Sequence, residues 1–151
     1  MHVPILKQGG YLIATIQSVL SDADLLQLRD DLAGRVGQFR SRGVIIDVTV
    51  LDVIDSFATR TLRGIAHMLK LRGADTVIVG IQPDVAFAMV QLGLNLEGVG
   101  TALDLEEGLV YLNAKAKRSG VVARTGSVPA PVSSPKAPLD DVQTKRGGGR
   151  R

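Results

Sequence analysis

The sequence predicts an α/β protein in which one mixed β-sheet is flanked by α-helices. Two almost continuously apolar, β-branched runs, GVIIDV at 43–48 and TVIVGI at 76–81, are typical of strands that helices cover on both faces. A strand, helix, strand order in this region implies a parallel pair with a right-handed crossover. A turn-rich segment at residues 3–16 adds an antiparallel hairpin. We therefore expect a single sheet with helices packed on it.

The first elements are the hairpin and a long helix. Apolar runs at 3–6 and 11–16 flank the turn-like KQGG and predict two antiparallel strands. Ser21 is placed to cap a helix that ends near Gly43. One buried stripe at helical spacing is predicted from Leu25, Leu28, Leu32, Val36 and Phe39.

The remaining elements alternate between helices and strands. A helix over residues 56–72 joins the two apolar strands. The segment 83–93 predicts a shorter helix, because Pro stands in its first turn and Gly at its end. A short strand near Val99 and a helix from Asp104 to about Asn113, with an acidic first turn, complete the domain.

Charge is distributed unevenly along the 151 residues. Residues 116–151 carry eight Lys or Arg against two Asp, which leaves residues 1–115 with ten basic and thirteen acidic side chains. We expect one domain over 1–115 and a disordered basic tail, rich in Pro, Ser and Gly, over 116–151. The basic pI thus describes the tail and gives little support to nucleic-acid binding by the core, whereas what the tail contacts is left open.

Several classes of function are disfavoured by what the sequence lacks. There is no cysteine, which suits a reducing cytosol, and no apolar run approaches the roughly 18 to 20 residues of a membrane span. His2 and His67 stand far from any carboxylate cluster, so no metal site is expected. With no phosphate-binding loop and no base near Ser56, we expect no cofactor, no catalytic residue and no enzymatic activity. The protein is expected in the cytoplasm.

The segment DVIDSFATR, residues 52–60, places Asp55 and Ser56 side by side at the start of a predicted helix. On a helical wheel the side facing the sheet carries Ala58, Leu62, Ile65 and Leu69. The opposite, polar side carries Ser56, Arg60, Arg63, His67 and Lys70. The simplest interpretation is that Asp55 or Ser56 caps the helix. One cap needs only one of them, so Ser56 is also a candidate phosphoacceptor, exposed at a positive helix end with Arg60 one turn later.

A phosphate on Ser56 is expected to change a surface and not the fold. The helix dipole would contribute about 0.3 to 1 kcal/mol and a pair with Arg60 a few tenths more. Repulsion from Asp52 or Asp55 would oppose this by an amount on the order of a few kcal/mol. Since the opposing terms are comparable, the modification is expected to act on a docking partner.

The sequence from residue 44 to 94 resembles the STAS domain (sulfate transporter and anti-sigma factor antagonist), and most closely the RsbS-type antagonist subunit of the bacterial stressosome. The resemblance covers roughly residues 3–113 and is carried by the D-S-F segment after LDVID and by GIQPDVA one element later. It implies that an RsbT-type switch serine kinase phosphorylates Ser56. It further implies that the unmodified protein sequesters this kinase in an assembly with RsbR-type STAS paralogues, and that a PP2C-like phosphatase reverses the modification.

The residues expected to bind the partner are Asp55, Ser56, Arg60, Arg63, Gln82 and Asp84. Of these, Gln82 and Asp84 are expected to shape the kinase-docking edge beside the Ser56 loop. Thr59 is a secondary candidate phosphoacceptor, since the wheel makes it more accessible than Thr61, which turns toward the buried side. A homo- or hetero-oligomer is expected.

Two other functions stay open. One is a STAS antagonist that acts directly on an anti-sigma factor kinase outside a stressosome. The other is a small α/β hydrolase or ligand-binding domain, which is disfavoured because the sequence offers neither a phosphate loop nor a base. The tail departs from compact RsbS-type proteins and leaves the assembly state and the set of partners open.

Overall fold

A computed structural model describes residues 2–126, with side chains over residues 2–118. The described elements are β1 (Ile5–Gln8), β2 (Tyr11–Thr15), α1 (Asp22–Phe39), β3 (Gly43–Asp47), α2 (Ser56–Leu71), β4 (Asp75–Val79), α3 (Pro83–Gln91), β5 (Gly100–Ala102) and α4 (Leu105–Gly126). The predicted α/β fold is confirmed. All five described strands lie in the unit that extends to Ala116.

The strands form one mixed sheet in the order β1-β2-β3-β4-β5. β1 is antiparallel to β2, with Ile5 opposite Ala14, as the hairpin prediction requires. The pairs β2–β3, β3–β4 and β4–β5 are all parallel. Because each parallel pair is joined by a helix, the three crossovers bring the starts of α1, α2 and α3 to one edge of the sheet.

The central strands are buried because helices cover both faces of the sheet. Val44 and Ile46 point into a core cluster that includes side chains of α1 and α2. Ile45, between them, points into a second cluster that contains Leu112 of α4. This arrangement accounts for the continuous apolar runs from which the two strands were predicted.

Helix α1 starts where the sequence predicts and ends earlier. Ser21 Oγ accepts the N–H of Asp24 at 3.1 Å, and the Asp24 carboxylate accepts the N–H of Ser21 at 3.1 Å, which forms a capping box. Arg40 ends the helix with a left-handed φ of 53°, so the predicted end near Gly43 is wrong. The predicted burial of Phe39 is also wrong, since its side chain is 37% exposed at the helix end and lies under the ammonium of Lys7.

Helix α4 is longer than predicted. It begins after Asp104, whose carboxylate accepts the N–H of Glu107 at 2.9 Å. It continues to Gly126, so the predicted end near Asn113 is wrong and residues 116–126, expected at the start of a disordered tail, are helical. Residues 114–118, AKAKR, are good helix formers, which favours continuation of the helix beyond Asn113. The rest of the predicted tail, 127–151, lies outside the described residues.

Candidate functional site

The candidate site lies at the edge of the sheet where the parallel strands end. The loops after Thr15, Asp47, Val79 and Ala102 leave the sheet at this edge, and each leads to the start of a helix. We call it the carboxyl edge and define it by residues 16–24, 47–56, 80–84 and 103–107. Loops at such an edge commonly bind ligands or partners in open α/β sheets.

Asp55 and Ser56 stand at this edge with different roles. Asp55 is the N-cap of α2, and its Oδ1 accepts the N–H of Ala58 at 2.7 Å. Ser56 is the first residue of the helix and is exposed, as predicted. Its hydroxyl forms no hydrogen bond with any other described residue. The capping function therefore belongs to Asp55 and leaves the Ser56 hydroxyl uncommitted.

Thr59 was predicted to be more accessible than Thr61, and this prediction is wrong. Thr59 is only 1% exposed, and its hydroxyl donates to the main-chain oxygen of Asp55 at 2.9 Å. Thr61 is half-buried. The helical wheel considered only the sheet, whereas α2 also packs against α1, so the buried side of α2 extends to Thr59 and Ala66.

The basic side of α2 is partly committed to structure. Arg63 is half-buried, and its Nη1 donates to the main-chain oxygen of Asn95 at 3.1 Å and to Asn95 Oδ1 at 3.3 Å. His67 Nε2 lies 3.2 Å from the main-chain oxygen of Glu97. These contacts tie the loop between α3 and β5 to α2. Arg60, in contrast, is exposed and forms no ion pair or hydrogen bond within the described residues.

Gln82 connects two loops of the carboxyl edge. Its Nε2 donates to the main-chain oxygen of Thr49 at 2.8 Å. The N–H and the hydroxyl of Thr49 in turn donate to Asp47 Oδ1, at 2.9 and 2.6 Å. The segment after β4 is thereby fastened to the loop that leads to Ser56. The prediction that Gln82 lies beside the Ser56 loop is confirmed, and Asp84 is exposed in the first turn of α3.

Acidic residues are concentrated at the carboxyl edge. Nine of the thirteen in residues 1–115 lie there: Asp22, Asp24, Asp47, Asp52, Asp55, Asp84, Asp104, Glu106 and Glu107. Most of them stand just before a helix or in its first turn, where the helix dipole favours negative charge. The basic residues Lys7, Arg40, Arg42 and Arg72 lie in segments at the opposite edge. The net charge of the whole chain does not show this separation of acidic and basic residues. The acidic residue near the start of every helix could have indicated it.

An apolar cleft adjoins Asp55. Its lining comprises Ile16, Val19, Leu20, Leu25, Leu51, Val53, Ile54, Asp55, Ala58 and Leu62. Val19 and Val53 at this cleft are 64% and 58% exposed, and Val50 nearby is 59% exposed. Exposed aliphatic side chains bordered by polar residues are typical of a protein-docking surface. The sequence alone does not indicate this cleft, because its walls come from two loops and two helices.

The described residues give no sign of a metal centre. No group of three or more His, Cys, Asp or Glu side chains suited to a metal ion occurs among them. Nor does any helix in the described part have the length and hydropathy needed to cross a membrane.

Comparisons with known proteins agree with the fold. Residues 2–108 match the STAS domain, and the chain belongs to this family. A solved structure of RsbS from Moorella thermoacetica, a serine-to-glutamate variant, is 36% identical with a TM-score of 0.66, covering 76% of this chain and 97% of that one. A chain in a solved structure of the stressosome is 34% identical with a TM-score of 0.62, and the match covers 75% of this chain and 98% of that one. The resemblance to RsbS-type antagonists is thereby confirmed.

A curated relative is the RsbT co-antagonist protein RsbRA of Bacillus subtilis. It is 30% identical over 83 residues, which are 55% of this chain and 30% of that protein. The chain thus spans about 30% of the length of this relative.

Proposed function

We propose that this protein is a phosphorylation-controlled binding module of a stress-signalling partner switch. In unmodified form its carboxyl edge sequesters an RsbT-type serine kinase, within a stressosome-like assembly that contains RsbR-type paralogues. Phosphorylation of Ser56 by that kinase releases it, and a PP2C-like phosphatase resets the switch. The proposal places this cycle in the cytoplasm, where the kinase has access to ATP. The observation that carries it is the exposed, uncommitted Ser56 hydroxyl at the start of α2.

A phosphate on Ser56 would find little to bind within its own chain. In the first turn of α2, the N–H of Ala58 is bonded to Asp55 Oδ1 and that of Thr59 to the main-chain oxygen of Asp55. Only the N–H groups of Ser56 and Phe57 stay available at the helix start. With about 1.5 to 2 added negative charges beside Asp52 and Asp55, repulsion from these carboxylates offsets the weak attraction of the helix start and of the exposed Arg60, so the phosphate stays in solvent. The modification therefore acts on the partner surface.

The chemistry of the carboxyl edge specifies a complementary surface on the kinase. Its acidic residues favour a basic partner, and the cleft beside Asp55 accepts an apolar side chain. A phosphate on Ser56 would release the kinase, because the added group fills the space into which the kinase docks. Asp55 and Ser56 form the centre of this surface, with Arg60 and Asp84 as further contacts.

Gln82 and Arg63 contribute in a different way. Gln82 holds the loop after β3 through Thr49, and Arg63 holds the loop after α3 through Asn95. We assign both as positioning residues that keep the docking surface in one shape. Replacement of either is expected to weaken kinase binding without changing the phosphoacceptor.

The test is retention of an RsbT-type kinase by the full-length chain, with and without Mg-ATP. Wild type is expected to hold the kinase and to release it when ATP is added. Ser56→Ala is expected to hold it under both conditions, and Ser56→Asp to bind poorly under both. Ser133→Ala, in the tail, serves as the matched control and should behave as wild type. Equal retention of the Ala and Asp variants of Ser56 would remove the mechanism.

A further inference from the structure

Arg60 is a basic residue of α2 that the fold does not use. Its side chain is exposed and forms no ion pair or hydrogen bond with the other described residues. The other Arg and the Lys of this helix are engaged within the domain. Arg63 donates to the main-chain oxygen of Asn95 at 3.1 Å, and Lys70 donates to Asp75 Oδ1 at 2.8 Å. The charge of Arg60 is therefore available to a molecule outside the chain.

Arg60 lies on the same side of α2 as Ser56. Side chains four positions apart on a helix are neighbours, with about 5 to 6 Å between their Cβ atoms. Leu62 and Ile65 are buried on the opposite side of the helix, against the core. Because helical side chains lean toward the N-terminus of the helix, the Arg60 side chain is directed toward the turn that carries Ser56. Its guanidinium can thus reach a group that approaches the Ser56 oxygen.

The surroundings of Ser56 are otherwise negative. The carboxyl edge holds nine acidic residues and no Lys, Arg or His. Asp52 and Asp55, in the loop before α2, are both exposed. The triphosphate of ATP is strongly negative, and the like charge of these carboxylates opposes its approach to Ser56. Arg60 is the Lys or Arg closest to Ser56 in the sequence, so it is the first charge placed to offset this repulsion.

We propose that Arg60 is a catalytic residue of its own chain's phosphorylation, which binds the γ-phosphoryl group of kinase-bound ATP while that group passes to Ser56. This inference rests on the proposed function. In the transfer the bond between the γ-phosphorus and the β–γ bridging oxygen breaks, and a bond between Ser56 Oγ and that phosphorus forms. The hydroxyl proton passes to solvent, and ADP leaves with the electron pair of the broken bond. The guanidinium donates paired N–H groups to two phosphoryl oxygens and neutralises the charge spread over them.

Docking alone does not account for a cation at this position. The acidic carboxyl edge favours a basic surface on the kinase, and a positive charge beside that edge opposes the docking of such a surface. In the free chain water screens the exposed guanidinium, so its effect on its own surroundings is weak. In the closed complex water is excluded, and the same charge acts more strongly on a phosphoryl group at short range. Arg60 therefore weakens docking slightly and accelerates transfer.

The test separates these two steps in the full-length chain. Single-turnover phosphorylation, with an RsbT-type kinase in excess and saturating Mg-ATP, gives the rate of transfer to Ser56 by intact mass spectrometry. Kinase retention without ATP gives docking. Arg60→Gln is expected to slow transfer by about tenfold or more and to leave retention equal to or above that of wild type. Arg60→Lys keeps the charge but not the paired donors, and its rate should fall between the two.

The matched control is Arg72→Gln, which makes the same change at the other end of α2. Arg72 is exposed and lies about 24 Å from Ser56 along the helix axis. This variant should match wild type in both measurements, and circular dichroism checks that every variant is folded. An unchanged transfer rate in Arg60→Gln, or a loss of retention as large as the loss of rate, would overturn the catalytic role while leaving the proposed function intact. A wild-type chain that gains no phosphate on Ser56 would overturn both.

Discussion

The carboxylate of Asp55 caps the helix on which Ser56 is the first residue. Asp55 Oδ1 accepts the N–H of Ala58 at 2.7 Å, and the main-chain oxygen of Asp55 accepts both the N–H and the hydroxyl of Thr59. Asp55 thereby accepts the hydrogen bonds of both Ala58 and Thr59 at the helix start. Asp55 and Ser56 are both residue types that favour helix starts. Only Asp55 stabilises the helix, whereas Ser56 faces solvent.

Removal of this cap is expected to lower stability without moving Ser56 to a new place. Asp55→Ala should reduce the free energy of unfolding by about 1 kcal/mol, the usual effect of losing an N-cap side chain. Asp55→Asn keeps an oxygen acceptor and should stay close to wild type, within about a few tenths of a kcal/mol. Urea denaturation of the three proteins measures the difference. If Ala and Asn variants are equally stable, the 2.7 Å hydrogen bond to Ala58 does not stabilise the helix.

A single phosphate is expected per chain. Thr59 is 1% exposed and its hydroxyl is engaged, so a kinase cannot reach it in the folded protein. After incubation with Mg-ATP and an RsbT-type kinase, intact mass spectrometry should show one added phosphate on wild type and on Thr59→Val. Ser56→Ala should gain none. A phosphate that maps to Thr59 would contradict the buried position of this residue.

The strand and helix pattern was predictable because the strands are covered on both faces. Runs such as GVIIDV are continuously apolar only when neither face meets water, and the parallel topology follows from the helices between them. Ser21 was predictable as the cap of α1 because a capping box involves only four consecutive residues. The Ser56 position followed from the same kind of local signal.

The wrong predictions concern burial that depends on tertiary contacts. The sequence pattern of one helix carries no information about the elements that pack on it. Thr59 is buried because α1 packs on α2, and a wheel drawn for α2 alone has no information about that neighbour. Phe39 fits the apolar stripe of α1, but Arg40 turns the chain away at the point where the stripe leaves the core. The cleft beside Asp55 combines residues from distant segments. Its existence depends on the sheet order and could not be read from any one stretch of sequence.

Gly80 is expected to be essential for the shape of the loop after β4. Its φ is +82°, and a Cβ at this position would collide with the hydroxyl oxygen of Thr49. Gly80→Ala should therefore lower the free energy of unfolding by about 1 to 3 kcal/mol and weaken kinase retention, because Thr49 holds Gln82. Gly34→Ala in α1 is the control, since nothing lies within 4 Å of a Cβ there. It should raise stability by about 0.5 to 1 kcal/mol. Thermal denaturation that gives both variants the same sign of change would contradict the assignment.

The ion pair at the end of α2 predicts a weak pH dependence. Lys70 Nζ donates to Asp75 Oδ1 at 2.8 Å, and this hydrogen bond, followed by the charge of Asp75, raises the pKa of Lys70 above 10.5. A raised lysine pKa stabilises the folded state fully at pH values below 10.5, and the contribution is lost as the pH rises through the folded-state pKa. Lys70 is 64% exposed, so the contribution is expected to stay below about 1 kcal/mol. Lys70→Met should remove the alkaline fall in the free energy of unfolding, measured by urea denaturation at a series of pH values. An unchanged alkaline slope would show that Asp75 does not stabilise the charged lysine.

Thr76 gives the sharpest stability prediction, because its hydroxyl is buried without a partner. The residue is 6% exposed in β4, and its Oγ1 has no hydrogen-bond partner among the described residues. An unsatisfied buried hydroxyl costs about 1 to 3 kcal/mol, and valine has nearly the same shape and suits a strand. Thr76→Val should therefore raise the free energy of unfolding by about 1 kcal/mol. Thr59→Val, at the other buried threonine, should lower it by a similar amount because that hydroxyl donates to Asp55. Urea denaturation with opposite signs for the two substitutions supports this difference, whereas a loss of stability in both would show that the Thr76 hydroxyl is satisfied in the folded protein.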